Sequence, residues 1–248
     1  LSLAGDDTNV IIVSDHGFGP LDNWFHINAW LLSEGLMVLK PAALTRIKHA
    51  LFKLGLTPYS IYNLALKLKL GGAVAHTTRN RREWAYQVLR KLFISFDDVD
   101  WSRTVAYSMG NFGPIFVNLA GREPHGCVAP EDYEATLELV AARLKRIVDP
   151  ATGGPLVQEV RFGRDIYSGE LAHAGPDITL FMRGLRVLSY GNTEFASSRW
   201  LTSSERSGWH RMDGILIASG PAVRRAGRIE GSRLWDMYPN IMAMLDLP

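Results

Sequence analysis

This chain of 248 residues contains a single cysteine, Cys127. One thiol cannot close an internal disulfide, and it cannot supply a cysteine-rich zinc module. It sits beside a histidine in Pro124-His125-Gly126-Cys127-Val128-Ala129-Pro130, which admits a nucleophilic role. The ordinary expectation for cysteine is a small apolar residue packed inside. Long apolar runs are also missing. None approaches the roughly 18 residues that span a bilayer, because Lys, Arg or Gly interrupts every candidate. The opening Leu1-Ser2-Leu3-Ala4-Gly5-Asp6-Asp7 lacks the basic and apolar regions of a secretory signal. It also lacks an initiator methionine, so the chain is expected to be part of a longer polypeptide. The compartment stays open, with cytoplasmic or membrane-peripheral placement favoured. No internal repeat or low-complexity tract occurs.

Acidic residues are scarce in one stretch. Residues 40–92 hold eleven Lys or Arg and one acidic residue, Glu83, whereas the remainder carries 16 basic and 24 acidic residues. The stretch is therefore +10 and the rest −8, an asymmetry that marks a separate element. Steering an anionic substrate and lying on an anionic membrane surface both fit it. So does a solvated cap whose apolar faces pack on a core. Aromatic interleaving and recognised modules for nucleic acid are absent, so specific nucleic-acid binding is not expected.

Hydrophobic residues make up 47% of the chain, enough for a substantial core. Residues 9–14, Asn-Val-Ile-Ile-Val-Ser, form a short β-branched run that suits a strand buried on both faces, as in a parallel sheet. A helix is expected over 23–32, with Gly35 as its cap. Within the basic stretch, Leu44, Ile47, Leu51, Phe52 and Leu54 fall near helical spacing. Further helices are expected at 61–70, after Pro58 and before Gly71-Gly72, and at about 80–92. Strands are expected at 104–108, 114–119, 156–161, 177–182 and 214–219. A long amphipathic helix is expected at 131–148 and a closing helix at 234–245. Strands alternating with helices imply an α/β layered fold.

Chemistry concentrates where the first strand ends. Ligands gather at the carboxyl ends of strands in open α/β sheets. There Ser14-Asp15-His16-Gly17 places a carboxylate and an imidazole side by side, a donor set suited to zinc or a similar divalent ion. Gly17 and Gly19 permit a backbone path on which both side chains swing to one point. Taken alone, the triplet also fits a strand-end Asp making turn hydrogen bonds beside an incidental His. Much later, Ser207-Gly208-Trp209-His210-Arg211-Met212-Asp213-Gly214-Ile215-Leu216-Ile217-Ala218-Ser219-Gly220-Pro221 sets a histidine in a loop just before an apolar strand.

The paired signature resembles the alkaline-phosphatase superfamily, in its branch of type I phosphodiesterases, nucleotide pyrophosphatases and bacterial predicted phosphohydrolases or phosphomutases. Phe96-Asp97-Asp98-Val99-Asp100-Trp101-Ser102-Arg103-Thr104 is similar to the bacterial subgroup. So are Ala106-Tyr107-Ser108, Val117-Asn118-Leu119 and Gly121-Arg122-Glu123-Pro124. The resemblance implies a layered sheet flanked by helices, with residues 1–39 as a core segment, 40–103 as an inserted basic helical cap and 104–248 as the return to the core. It implies two divalent metal ions, zinc first and manganese as the alternative. Asp15 and His16 match ligands of one metal, and His210 matches a ligand of the other. The family's Thr or Ser nucleophile, its first Asp and its Asp-x-x-x-His motif precede the Asp-His pair. None matches the residues ahead of Asp15, and Thr8 falls in a loop, so the N-terminal part of the fold is expected to be missing. The implied function is metal-dependent hydrolysis of a small phosphate ester, the chain alone being inactive. A phosphomutase and a non-catalytic module that binds membrane or polyanion are the alternatives.

His26 and Arg211 are candidate substrate contacts, His26 from the expected helix and Arg211 because guanidinium matches phosphate. His125 and His173 are expected at the surface. Asp97-Asp98 suits a junction between cap and core, and Asp236 suits a helix cap.

Overall fold

The computed structural model describes residues 5–67, 91–193, 195–224 and 227–247. The chain forms two compact units, one of Leu1–Pro20 with Gly208–Pro248 and one of Leu21–Ser207. Each is a mixture of strands and helices.

In the first unit, β1 (Val10–Val13) and β2 (Gly17–Pro20) run one after the other. Two four-stranded sheets belong to the second unit. Its strands are β3 (Asn23–His26), β4 (Ala106–Tyr107), β5 (Gly110–Asn111), β6 (Pro114–Val117), β7 (Val157–Phe162), β8 (Ile178–Met182), β9 (Val187–Gly191) and β10 (Leu201–Ser203). One sheet has the order β10-β3-β9-β5 and the other β4-β6-β8-β7. β3 and β9 pair in parallel, and the remaining strand pairs are antiparallel. The first unit ends with β11 (Gly208–Arg211) and β12 (Leu216–Ser219). β11 lies antiparallel to β2, and β12 lies antiparallel to β1.

The helices are α1 (Ile27–Ser33), α2 (Ala43–Lys53), α3 (Pro58–Lys67), α4 (Tyr133–Lys145) and α5 (Met237–Met244). α4 shows the amphipathic pattern its sequence announces. Leu137, Val140, Ala141 and Leu144 recur on one face and are buried. α4 packs on β7 and β6. β8 alternates with period two, its Ile178, Leu180 and Met182 turned inward. Each fully buried aliphatic side chain here is worth about 1.5–3 kcal/mol. α1 is buried through Ile27, Asn28, Ala29, Trp30 and Leu31, so its one polar group needs partners. Asn28 donates to the carbonyls of Ser108 (2.8 Å) and Asn192 (2.7 Å) and accepts from the Ser108 amide (2.9 Å).

The Gly121–Pro124 motif has a structural explanation. Arg122 donates to both oxygens of Asp177, at 2.7 and 2.6 Å. Asp177 also accepts from the Tyr133 hydroxyl and the Val117 amide, both at 2.6 Å. Burial and donation to this carboxylate push the Tyr133 phenol up to about 12. The clamp ties α4, β6 and β8 together.

Several expectations are corrected. β1 is not a strand buried on both faces of a parallel sheet. It lies in an antiparallel ribbon, with Ile12 47% and Val13 43% exposed. The helix expected from residue 23 starts only at Ile27, because Asn23–His26 pairs with β9 and β10. Gly35 does close that helix, at φ +71°. His210 lies within β11 rather than in a loop. Cys127 is exposed rather than packed inside, with its thiol 3.0 Å from the Thr104 carbonyl. Burial of the sulfur still raises its pKa, which disfavours the thiolate a nucleophile needs. Asp236 accepts from the Arg233 amide at 2.8 Å, capping the short 3₁₀ turn before α5 and not α5 itself. His125 and His173 are exposed, as expected. Leu70, Gly71-Gly72 and most of the helix expected at 80–92 lie outside the described residues; its last two residues, 91 and 92, are helical.

Candidate functional site

The site lies in the unit of Leu1–Pro20 and Gly208–Pro248. Its frame is one antiparallel pair of chain segments that kinks once. β1 with β12 forms one half of the ribbon, and β2 with β11 forms the other. Ser14, Asp15 and His16 make the corner on one strand, and Met212 to Ile215 make it on the other. Ser14 closes the corner twice. Its amide donates to the Ile215 carbonyl at 3.1 Å, and its hydroxyl oxygen accepts from the Ile215 amide at 2.8 Å.

The glycines around the motif are there for space. A Cβ at Gly17 would collide with the backbone carbonyl of Asp213, and one at Gly214 would lie 2.6 Å from the Ser14 hydroxyl. Gly19 lies beneath Arg211, where a Cβ would come within 2.7 Å of the guanidinium Nε. Neither Gly17 nor Gly19 has a positive φ. A side chain at Gly17 would therefore force the two strands of the corner apart.

Asp15 and His16 both reach the same side of this corner. Their side chains are 77% and 40% exposed, with His16 Nε2 3.6 Å from Asp15 Oδ1. His16 Nδ1 lies 2.7 Å from the Gly17 carbonyl oxygen. A carbonyl only accepts, so Nδ1 carries the proton. In the neutral ring, Nε2 then offers a lone pair toward the carboxylate. The His210 ring, held on β11 opposite Phe18, stands 4.0 Å from the His16 ring, centroid to centroid, at 64°. The three residues named as ligand candidates, 195 positions apart at their extremes, thus share one corner. Among the described residues no group of three or more His, Cys, Asp or Glu side chains is disposed to hold one ion.

Arg211 is engaged with the backbone of its own ribbon. It donates to the His210 carbonyl at 2.9 Å and to the Pro20 carbonyl, folding back over the ribbon. His26 belongs to the other unit and sits at the end of β3, 7% exposed. Its Nε2 is 3.0 Å from the Thr202 hydroxyl. Burial lowers its pKa to about 4, against a smaller upward pull from Glu205, so the imidazole is neutral. The space beside it measures about 10 Å³, the lower limit for one water molecule.

A cleft of about 1330 Å³ opens beside Asp15 within the first unit. Ile215, Ile217 and Trp235 line it together with Asp213, Arg228 and Arg233. These two arginines carried no role in the sequence. The signal was their place soon after the late-histidine strand, in Arg228-Ile229 and Arg233-Leu234-Trp235. A cleft of this size takes a whole small molecule, and guanidinium groups suit phosphate.

The family model for type I phosphodiesterase / nucleotide pyrophosphatase matches residues 3–153. No curated protein and no solved structure matches the chain.

Proposed function

Because the chain belongs to the type I phosphodiesterase / nucleotide pyrophosphatase family, a family of phosphoester hydrolases, we propose that it carries part of a two-metal site for hydrolysing phosphate esters. In this reading Asp15 and His16 hold one divalent ion and His210 holds a second, with zinc as the metal. The family's remaining ligands and its Thr or Ser nucleophile have no counterpart among the residues ahead of Asp15.

One observation carries the reading. The Gly17 carbonyl takes the hydrogen bond of His16 Nδ1, so in the neutral ring Nε2 is the nitrogen with a lone pair, 3.6 Å from the Asp15 carboxylate. A lone pair turned toward an anion is unfavourable unless a cation or a second proton lies between them. Two donors on one tetrahedral zinc stand roughly 3.4 Å apart at ordinary bond lengths, close to the observed spacing. Backbone orientation of a ligand histidine through its other nitrogen is the usual arrangement at such sites.

Divalent ions held there would supply the positive charge that phosphoryl transfer needs on its reacting oxygens. The chain's own residues do the rest. Ser14 and Gly17 keep the corner tight, so Asp15 and His16 are presented in fixed relation. Arg228 and Arg233 draw the ester's negative charge into the cleft, and Ile215, Ile217 and Trp235 receive its apolar part.

Metal content and hydrolysis of bis-p-nitrophenyl phosphate by the complete protein test this. Asp15→Ala and His210→Ala should each lose bound metal and more than about 100-fold in rate, since even outer partners of metal ligands are worth 10–100-fold. Normal metal content and normal rate in both variants would overturn the assignment.

A further inference from the structure

Helix α2 is turned inside out. Its inward face consists of Thr45, Lys48 and Phe52, all buried. Its outward face carries Leu44 at 62% exposure, Ile47 at 59%, Leu51 at 38% and Leu54, the residue after its end, at 83%. At 100° per residue, positions 44, 47, 51 and 54 fall within an arc of about 80°. They form one stripe. A lysine is kept inside by Asp98, at 2.9 Å, while four large aliphatic side chains face outward. Each aliphatic side chain left out forgoes part of the stabilisation that burial would give it. Further along the chain Leu56 (44%), Ile61 (44%) and Leu64 (57%) are exposed as well. A contiguous patch of this kind marks an interaction site.

The charge around it identifies the partner. Lys40, Arg46, Lys53 and Lys67 are exposed in the same segment. From Lys40 to Lys67 there is no Asp or Glu. Protein interfaces favour aromatic anchors, whereas this stripe is wholly aliphatic and shares its segment with exposed cations. No helix among the described residues is long and apolar enough to cross a membrane. We infer that α2, with the turn leading into α3, docks this chain onto the surface of an anionic phospholipid bilayer. The leucine and isoleucine stripe enters the headgroup boundary, and Arg46 and Lys53 meet lipid phosphates.

This goes beyond the proposed hydrolase function, and its readout is independent of activity. Flotation with vesicles of phosphatidylcholine, with and without phosphatidylglycerol, tests it. The protein should partition onto the mixed vesicles at low salt, and far less onto phosphatidylcholine alone or at high salt. Each cation near the surface is worth about fivefold in partitioning, so Arg46→Glu/Lys53→Glu should weaken binding by about 25-fold or more. Ile47→Asp/Leu54→Asp should abolish it while leaving the urea midpoint unchanged, because both side chains are exposed. Failure to float with the anionic vesicles overturns the inference, as does normal flotation of Ile47→Asp/Leu54→Asp. So does a lipid-free dimer in sedimentation that Ile47→Asp dissociates, since the stripe would then be occupied by a second copy.

Discussion

Replacing Lys48 by methionine should cost far more stability than its place in a highly basic segment suggests. Lys48 and Asp98 are each 7% exposed, and the ammonium group meets both carboxylate oxygens, at 3.1 and 2.9 Å. Asp98 also accepts from the Thr45 hydroxyl at 3.0 Å and the Ser95 amide at 3.1 Å. Lys48→Met leaves that carboxylate buried, with two neutral donors and no counter-charge. Breaking one side of such a pair costs about 3–5 kcal/mol, a large share of the 5–15 kcal/mol that typically holds a domain folded. Asp98→Asn takes the carboxylate away from the buried ammonium instead and should cost about the same. The double variant Lys48→Met/Asp98→Asn removes both charges while an amide still meets Thr45 or Ser95. Its loss should fall several kcal/mol short of the sum of the singles. Urea unfolding followed by tryptophan fluorescence gives all three values. The exposed pair Arg161–Glu159, 53% and 43% accessible, serves as the control, and its removal should leave the midpoint where it was. If Lys48→Met loses less than about 1 kcal/mol, or if the two single losses simply add, then the pair is solvated. The account of α2 as a helix with its polar face inside would then fail.

The second unit should lose stability in mild acid through His26. Its folded pKa, about 4, lies below the ordinary 6.5, so the unfolded chain takes up the proton first. Stability is therefore complete above about pH 6.5 and declines as pH falls toward 4, by a total of about 3 kcal/mol. His26→Gln should flatten this dependence in urea titrations across that range, and an unchanged slope would refute it. Gly17→Ala should destabilise the first unit by about 1–3 kcal/mol, because its Cβ meets the Asp213 carbonyl. It should also lower metal content in the complete protein, and a neutral effect in calorimetry would show that the corner is looser than described.

Elements with a strong periodic pattern are legible in the sequence. α4 announces itself through apolar spacing, and β8 through alternation. Short strands do not. Gly-Phe-Gly-Pro at residues 17–20 contains the residues most depleted in strands, and it pairs only because glycine lets the partner backbone come close. The pattern of α2 predicts a helix correctly but suggests the wrong inner face, since apolar spacing does not say which side of a helix meets the core. Lys48 and Asp98, fifty residues apart, carry no local signal of mutual burial. His26 reads as helical because the apolar residues around it, Trp24, Phe25 and Ile27, fit either period. Asp15, His16 and His210 stand out by the chemistry of their residue types, and their distances come only from the folded ribbon.

The corner that joins them is assembled from opposite ends of the chain, with the unit Leu21–Ser207 threaded between. The ends of that unit are held together, the Leu21 amide donating to the Ser207 carbonyl at 3.2 Å. At roughly 5–20 residues per second, a ribosome delivers His210 about 10–40 s after His16. That interval is longer than a small domain ordinarily needs to fold. The inserted unit therefore has time to close first and bring β2 and β11 side by side as its exit strands. On the nascent chain, Asp15 and His16 therefore wait beside an unpaired β2 until β11 arrives, which makes their corner one of the last parts of the fold to close.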